Sequence, residues 1–326
     1  MTGPRWAALA CARLLRAALA VAIVAALGWC FVEVAPGSTA ERAARAAGLL
    51  PADTIELSPA EKAAVMAPVA QRHRLDRPLP NRIAAYVAGL PAGDLGTSWR
   101  DGSAVARRVQ PASGTTLVLV LSSLAVAVAF GIGFGALAAE RPGSRLDVAV
   151  AAASAVAISI PLAWLGMLVL HTFASGHPFR WFSLAGPGVL PVLTLAVIPA
   201  AVIARHARAA LVEAARQPWA IAARARGAST RRVIAVHALS VTAPSLLALL
   251  PALVGYALGA SLVVERVFGI RGLGWLITDA SARGDAPVVV GASVVAAAIL
   301  GLASAGTDLV SRAIDPREAP REAGDA

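Results

Sequence analysis

The side chains best placed to do chemistry in this 326-residue chain are arginines, and they are crowded into one place. Between two charge-free apolar runs lie Arg205, Arg208, Arg216, Arg224, Arg226, Arg231 and Arg232, with Glu213-Ala214-Ala215 among them and Gly227 following. Everything around this stretch is oily. A membrane protein that keeps such a segment on its cytoplasmic side presents polar surface to a soluble partner. The bland alternative is an ordinary basic connector that obeys the positive-inside rule.

Catalytic arrangements are missing. A phosphate-binding loop needs a lysine behind its glycines, and the only lysine, Lys62, sits in Pro59-Ala60-Glu61-Lys62. ATP hydrolysis would therefore have to come from another polypeptide. His171, His177, His206 and His237 show no metal-ligand spacing, so neither a metal site nor a cofactor is expected. Gly269–Gly274 (GIRGLG) lacks the dinucleotide spacing and the surrounding βαβ unit. A membrane enzyme would need a nucleophile with its base, paired intramembrane aspartates or H-E-x-x-H. His171 has no evident serine partner and Asp308 no intramembrane aspartate. A passive channel or scaffold is the third class, and it leaves the basic segment unexplained.

The elements that must position these residues are membrane helices. Hydrophobic residues make up 58% of the chain, charged residues 15%, and mean hydropathy is +0.70, which excludes an ordinary soluble domain. Charge-free runs cover Val109–Ala139, Val148–Phe179, Trp181–Ala204, Val233–Val264 and Ala286–Thr307. Each reaches the ~20 residues a helix needs to cross a bilayer. Ala17–Val32, behind Arg5, Arg13 and Arg16, reads as a retained first span whose arginines snorkel, although a basic start and a short apolar run also describe a signal peptide. Cys11 and Cys30 both fall here, as lipid-facing or packed thiols.

Net charge of +10 does not imply nucleic acid, because the basic residues flank membrane spans. The positive-inside rule puts the Arg205–Arg232 segment in the cytoplasm, and six spans put both termini there. The expected organisation is 1–34 cytoplasmic start and first span, 35–110 external segment, 111–314 a five-helix core carrying the loop 205–236, and 315–326 a cytoplasmic tail.

Local signals refine this plan. Ser58-Pro59-Ala60-Glu61 reads as a capping box that starts a helix running to about Arg72. Leu75–Pro80 reads as a proline-braced extended piece, Asn81 as the cap of a helix reaching Leu90, and Gly93-Asp94-Leu95-Gly96 as its break. Within the loop, Pro218 suits a first helical position and Gly227 the left-handed residue past a helix end, with Arg224 and Arg226 in the last turn. Ser229 caps a second helix from Thr230 that feeds the fifth span. Two short helices meeting at a glycine make a compact knob, with Trp219 and Ile221 for apolar contact and an arginine rim. Glu213 either pairs locally with Arg216 or faces a cation on a partner. Polar residues within spans are few, and Ser159, His171, Ser261, Glu265 and Asp308 are the best pathway or interface candidates, although Glu265 and Asp308 lie near span ends where the alternative is simply to reach the interface. Serine and glycine in spans more often pack helices than bind solute.

The loop resembles the "EAA" loop of permease subunits in binding-protein-dependent ABC importers. An ordered series extends the likeness along nearly the whole chain: Ala35-Pro36-Gly37, Leu75–Pro80, Gly93-Asp94-Leu95-Gly96 with Ser98, Ser159-Ile160-Pro161 with Trp164-Leu165-Gly166, Val267-Phe268-Gly269, Gly272-Leu273-Gly274, Pro287-Val288-Val289 and Asp315-Pro316-Arg317. It is most similar to the first of the two permeases in dipeptide, oligopeptide and nickel importers. The resemblance implies an all-α integral membrane protein with six spans and the type I importer permease fold, in the bacterial inner membrane. It also implies a second permease subunit, two cytoplasmic ATPase subunits and an external solute-binding protein as partners, besides membrane lipid. The ATPase-coupling loop would then be carried by Glu213, Ala214, Ala215, Trp219, Arg224 and Gly227. Ser159, Pro161, Trp164, Ser261, Gly269, Gly272 and Gly274 become pathway candidates, with Gly269–Gly274 either a re-entrant element or a plain glycine turn.

Overall fold

The computed structural model describes residues 3–50, 58–174 and 188–314. Among these the chain is all-α, with a single isolated bridge between Thr97 and Ala104. The chain divides into two compact units, Met1–Leu117 with Gly269–Leu302, and Val118–Phe268 with Ala303–Ala326. His177 and the tail 315–326, including Asp315-Pro316-Arg317, lie outside the described residues.

In the first unit, α1 (Gly3–Val34) is one unbroken helix that contains the first expected span. Leu15, Leu19, Leu27 and Phe31 are exposed along it, as befits a lipid-facing surface, and Cys11 and Cys30 are exposed free thiols. The helix stops at Val34, before Ala35-Pro36-Gly37, and Gly37 takes a left-handed φ of 83°. Helix ends leave carbonyls without partners. Here the Arg42 guanidinium donates to the carbonyls of Val32, Ala35, Pro36 and Gly37. Arg42 stands on α2 (Thr39–Ala46), a short helix the sequence signals did not reveal.

The capping box on Ser58 and Glu61 forms as read, and α3 covers Pro59–Arg72. Two expectations nearby are corrected. Leu75–Pro80 is a turn that runs into a helix, entered through Arg74 at φ 52°, with Pro78 extended at ψ 138°. Helix α4 (Leu79–Gly89) begins before Asn81, because Pro78 fixes the entry and Pro80 fits the first turn without a backbone donor. A 3₁₀ turn, Leu90–Ala92, then ends at Gly93 with φ 76°.

Asp285 organises the rest of this unit. Its carboxylate is 2% exposed and accepts from the Ser98 hydroxyl and from the Trp99 amide at 2.9 Å, with Arg108 3.6 Å away. Helix α5 (Val105–Glu140) contributes its first turns, α13 (Leu273–Ala282) packs by Leu273 and Leu276, and α14 (Ala286–Ile314) by Val288 and Val294. Small residues let α1 approach α14: a Cβ on Gly301 would lie 2.8 Å from the Ala17 Cβ.

The second unit departs further from the sequence plan. The run Val148–Phe179 is not one straight helix; α6 (Arg145–Ser159) and α7 (Leu162–Ala174) meet at a bend of 100°. Pro161 explains it, since a residue before proline is pushed out of helical ψ, and Ile160 has ψ 126°. Helix α8 (Val189–Ala214) continues well past Ala204, so Arg205 to Glu213 are helical and the loop proper starts at Ala215. The run Val233–Val264 is also divided. A π turn (Val233–Ala238) leads into α11 (Leu239–Leu247), and α12 (Leu250–Phe268) starts afresh with Pro251 in its first turn. Among the described residues, five helices are long and apolar enough to cross a membrane, or six when the bent pair counts as one span. Glu265, a pathway candidate whose alternative reading is to reach the interface, is fully buried. Asp308 falls in α14, and its side chain is not among those described.

Helices α5 and α8 meet at Gly131 and Gly135, spaced like a membrane small-xxx-small seam. A Cβ on Gly135 would lie 2.7 Å from the Ala204 carbonyl and 2.8 Å from the Ala207 Cβ, whereas one on Gly133 would meet nothing within 4 Å. Gly135→Ala should therefore destabilise by about 1–3 kcal/mol through overpacking. Gly133→Ala should be neutral or stabilising by up to about 1 kcal/mol. Thermal unfolding of both variants in detergent checks the contrast. Replacing Asp285 by alanine leaves the Trp99 amide and the Ser98 hydroxyl unpaired inside the fold, and should cost about 2–5 kcal/mol in the same assay.

Candidate functional site

The basic loop is built from backbone rules outward. Helix α8 closes with the Ala215 amide donating to the Leu211 carbonyl at 2.9 Å, and the chain turns through Arg216 and Gln217. Gln217 is extended, with ψ 151°, as the residue before proline must be, and Pro218 opens α9 (Pro218–Ala225) at its first position. The far end of α9 closes with paired turn bonds. The Ala228 amide reaches the Ala223 carbonyl at 3.1 Å and the Gly227 amide the Arg224 carbonyl at 2.9 Å. These two bonds make a Schellman closure around Gly227, whose φ is 92°. Ser229 then caps α10 (Thr230–Arg232), accepting from the Arg232 amide at 3.3 Å.

Side chains lock the two helices of the knob to α8. Arg224 donates from Nη2 to the Ala215 carbonyl at 2.9 Å, satisfying one of the free carbonyls at the end of α8. Trp219 meets the ring of His237 edge-on at 6.4 Å. Ala214, Leu211, Ile234 and Ala238 form a buried patch, with Trp219 packed against it. Ala220, Ala223 and Val233 form a second patch within the knob.

Of the residues assigned to coupling, Ala214 is thus buried, Ala215, Trp219 and Arg224 are half-buried, and Gly227 is exposed at the turn. Glu213 is exposed and makes no ion pair among the described residues; the local pair with Arg216 is not formed. Ile221 is 56% exposed on α9, and Arg216 and Arg226, on either side of that helix in the chain, are exposed as well. The knob therefore offers one large apolar side chain together with basic ones.

The pathway candidates fall in both units. Ser159, Pro161, Trp164 and Ser261 belong to the second unit, and Gly269, Gly272 and Gly274 to the first. Ser159 and Trp164 are exposed on either side of the α6–α7 bend, and the Ser159 hydroxyl donates back to the Ala155 carbonyl. Ser261 is 1% exposed and donates to the Leu258 carbonyl at 2.8 Å, the behaviour of a packing serine. Gly166 is buried where α7 lies on α12, facing Val267 and Phe268. Gly269 takes φ 66° and Gly272 caps α13, whose first amide, on Leu273, donates to the Thr116 hydroxyl at 2.7 Å. Gly269–Gly274 is therefore a turn followed by a short helix, with a buried side-chain acceptor at its start.

Sequence reasoning missed the strongest charge pair of the second unit. Asp147, 3% exposed at the start of α6, accepts from Arg208 Nε and, at 2.7 Å, from Arg208 Nη2, and also from the Gly143 amide at 2.8 Å. Arg208, counted with the basic loop, is thus a bidentate structural partner on α8. Ser144-Arg145-Leu146-Asp147 carries the helix-start signal that could have drawn attention to Asp147. Among the described residues, no group of three or more His, Cys, Asp or Glu side chains could hold a metal.

Comparison with known proteins gives the class. Residues 131–319 match the family described as binding-protein-dependent transport system inner membrane component. The chain is 28% identical over 303 residues to the di/tripeptide transport system permease protein DppB of Pseudomonas aeruginosa (strain UCBPP-PA14), covering 82% of this chain and 90% of that protein. It is 31% identical over 272 residues to the glutathione transport system permease protein GsiC of Escherichia coli O6:H1, covering 82% and 84%. It is 24% identical over 263 residues to the oligopeptide transport system permease protein AppB of Bacillus subtilis (strain 168), covering 76% and 83%. With more than half its length matched, the chain belongs to the binding-protein-dependent transport system inner membrane component family and is a permease subunit of the bacterial inner membrane.

Proposed function

We propose that this permease forms the translocation pathway with a second permease subunit and imports peptides or a related small solute, driven by two separate ATPase subunits and supplied by an external solute-binding protein. The observation that carries the coupling is Glu213: an exposed carboxylate without an ion pair among the described residues, fixed at the end of α8 beside a turn braced by Arg224. The relatives named for di/tripeptides, glutathione and oligopeptides support the solute class. ATP hydrolysis is assigned to other subunits because Lys62 cannot serve a phosphate loop.

The mechanism is a rigid-body one. Closure of the ATPases pushes the knob formed by α9 and α10. Because Ala214 and Trp219 pack with Ile234 and Ala238, displacement of the knob is passed to α8 and to the helices after the π turn. Two discrete arrangements of the spans then give outward and inward access, each favoured by one ligand state.

Orientation is tested first. A cysteine at Asp94 should react with an impermeant reagent from outside, and one at Gln217 only after the inner face is opened. External labelling at Gln217 would overturn the orientation and the docking with it.

The knob is tested by two substitutions. Gly227 has open space around it but a φ of 92°, so Gly227→Val strains the backbone without a clash and misaims α9 and α10. Glu213→Arg removes one side of an interface pair, at a cost of about 2–5 kcal/mol of association. Both variants should insert normally, lose co-purification with the ATPase and abolish uptake. Normal uptake by both would reduce the loop to a positive-inside connector.

A further inference from the structure

A cavity of about 380 Å³ lies within the unit Met1–Leu117 with Gly269–Leu302. Its wall joins Trp29, near the end of α1, to the turn after α3 and to α4. Arg72, Arg74 and Arg77 are exposed along it, and Arg82 lines it with a side chain only 9% exposed. Against these four guanidinium groups the described lining holds one carboxylate, Asp94.

Three neighbouring side chains of this wall carry buried polar atoms with no partner among the described residues: Trp29 Nε1, Arg82 Nη2 and Tyr86 Oη. All three can donate, and two can do nothing else. Burial raises the Tyr86 pKa, with the Asp94 charge adding to it, so the hydroxyl keeps its proton. The three are packed together. Tyr86 meets the Trp29 ring edge-on at 5.7 Å, and Arg82 Cζ lies 5.5 Å from the Trp29 ring centroid. The other terminal nitrogen of Arg82, Nη1, is already held by Glu33 at 3.1 Å, which fixes the guanidinium in place. Buried donors are normally paired, so three orphans side by side, closed to solvent as the fold stands, are donors that acceptor oxygens from outside the chain would satisfy once a neighbouring side chain gives way. Arg74, the one non-glycine residue with positive φ among the described residues, shapes the turn that brings the arginines to the rim.

We propose that this cavity binds the carboxylate end of a small solute, such as the C-terminus of a short peptide. A carboxylate presents two acceptor oxygens in the plane a guanidinium matches. The volume lies within the range of small-ligand pockets. Identifying the ligand as cargo, and the site as external, rests on the import reading above. A lipid phosphate offers similar oxygens, so the test separates the two sources.

The full chain in phosphatidylcholine nanodiscs, without ATPase, is titrated calorimetrically with trialanine, with trialanine amide and with inorganic phosphate, and again in discs containing phosphatidylglycerol. Trialanine should bind saturably, and its amide at least tenfold more weakly. Arg82→Gln and Tyr86→Phe should each weaken trialanine binding at least tenfold; should Arg82→Gln not fold, Tyr86→Phe and the rim variant Arg77→Gln carry the comparison. Equal binding of acid and amide, or no saturable binding of trialanine, overturns the proposal. Phosphate binding in preference to trialanine, or loss of trialanine binding in anionic discs, assigns the cavity to a lipid headgroup and overturns it as well. Failure of ATP-driven uptake in the assembled importer would count against the import reading and leave this binding result untouched.

Discussion

In a hydrocarbon environment every backbone amide and carbonyl has to find its partner within the protein, and every interruption of a helix breaks that condition locally. This fold interrupts its helices repeatedly, and many of the breaks are covered by a specific group. Arg42 covers the open carbonyls after α1, and Arg224 the carbonyl of Ala215 after α8. Thr116 receives the amide that opens α13, and Asp147 receives the Gly143 amide ahead of α6. The irregular places of the molecule thus coincide with its polar side chains. Charge gathers at helix ends, where a continuous apolar helix would have no use for it.

How much of this could be read from the sequence depends on the range of the interaction. The knob was legible in detail: Pro218, Gly227 and Ser229 each dictate backbone geometry within a few residues, and each took the predicted place. The Ser58–Glu61 box was legible for the same reason. Long-range partners were not. Asp147 and Arg208 are 61 residues apart, and Ser98 and Asp285 are 187 apart, with nothing in local composition to pair them. Hydropathy also hid the breaks at Pro161 and before Pro251, because proline in a charge-free run does not lower its apolar character. The full burial of Glu265 was hidden for a related reason: its position near a span end says nothing about what packs around it.

The two charged clusters have different physical roles. The Asp147–Arg208 pair is buried on the acidic side, bidentate, and holds α6 to α8. Glu213, further along the same helix, is exposed and has no ion pair among the described residues. A pair consumed inside the fold contributes to a fixed geometry, whereas an exposed carboxylate on that geometry remains available to a partner. The coupling reading depends on both, since a contact can transmit motion only through a support that does not yield.

The turn bonds that shape the knob all join residues close in sequence, the longest being Arg224 to Ala215. Such short loops close quickly and at little entropic cost. During synthesis the knob therefore has what it needs before Leu250 has been made. Its turn bonds lie between Leu211 and Arg232, and the apolar patches beneath it add Val233, Ile234 and Ala238, so its form is inherited from one short stretch of chain.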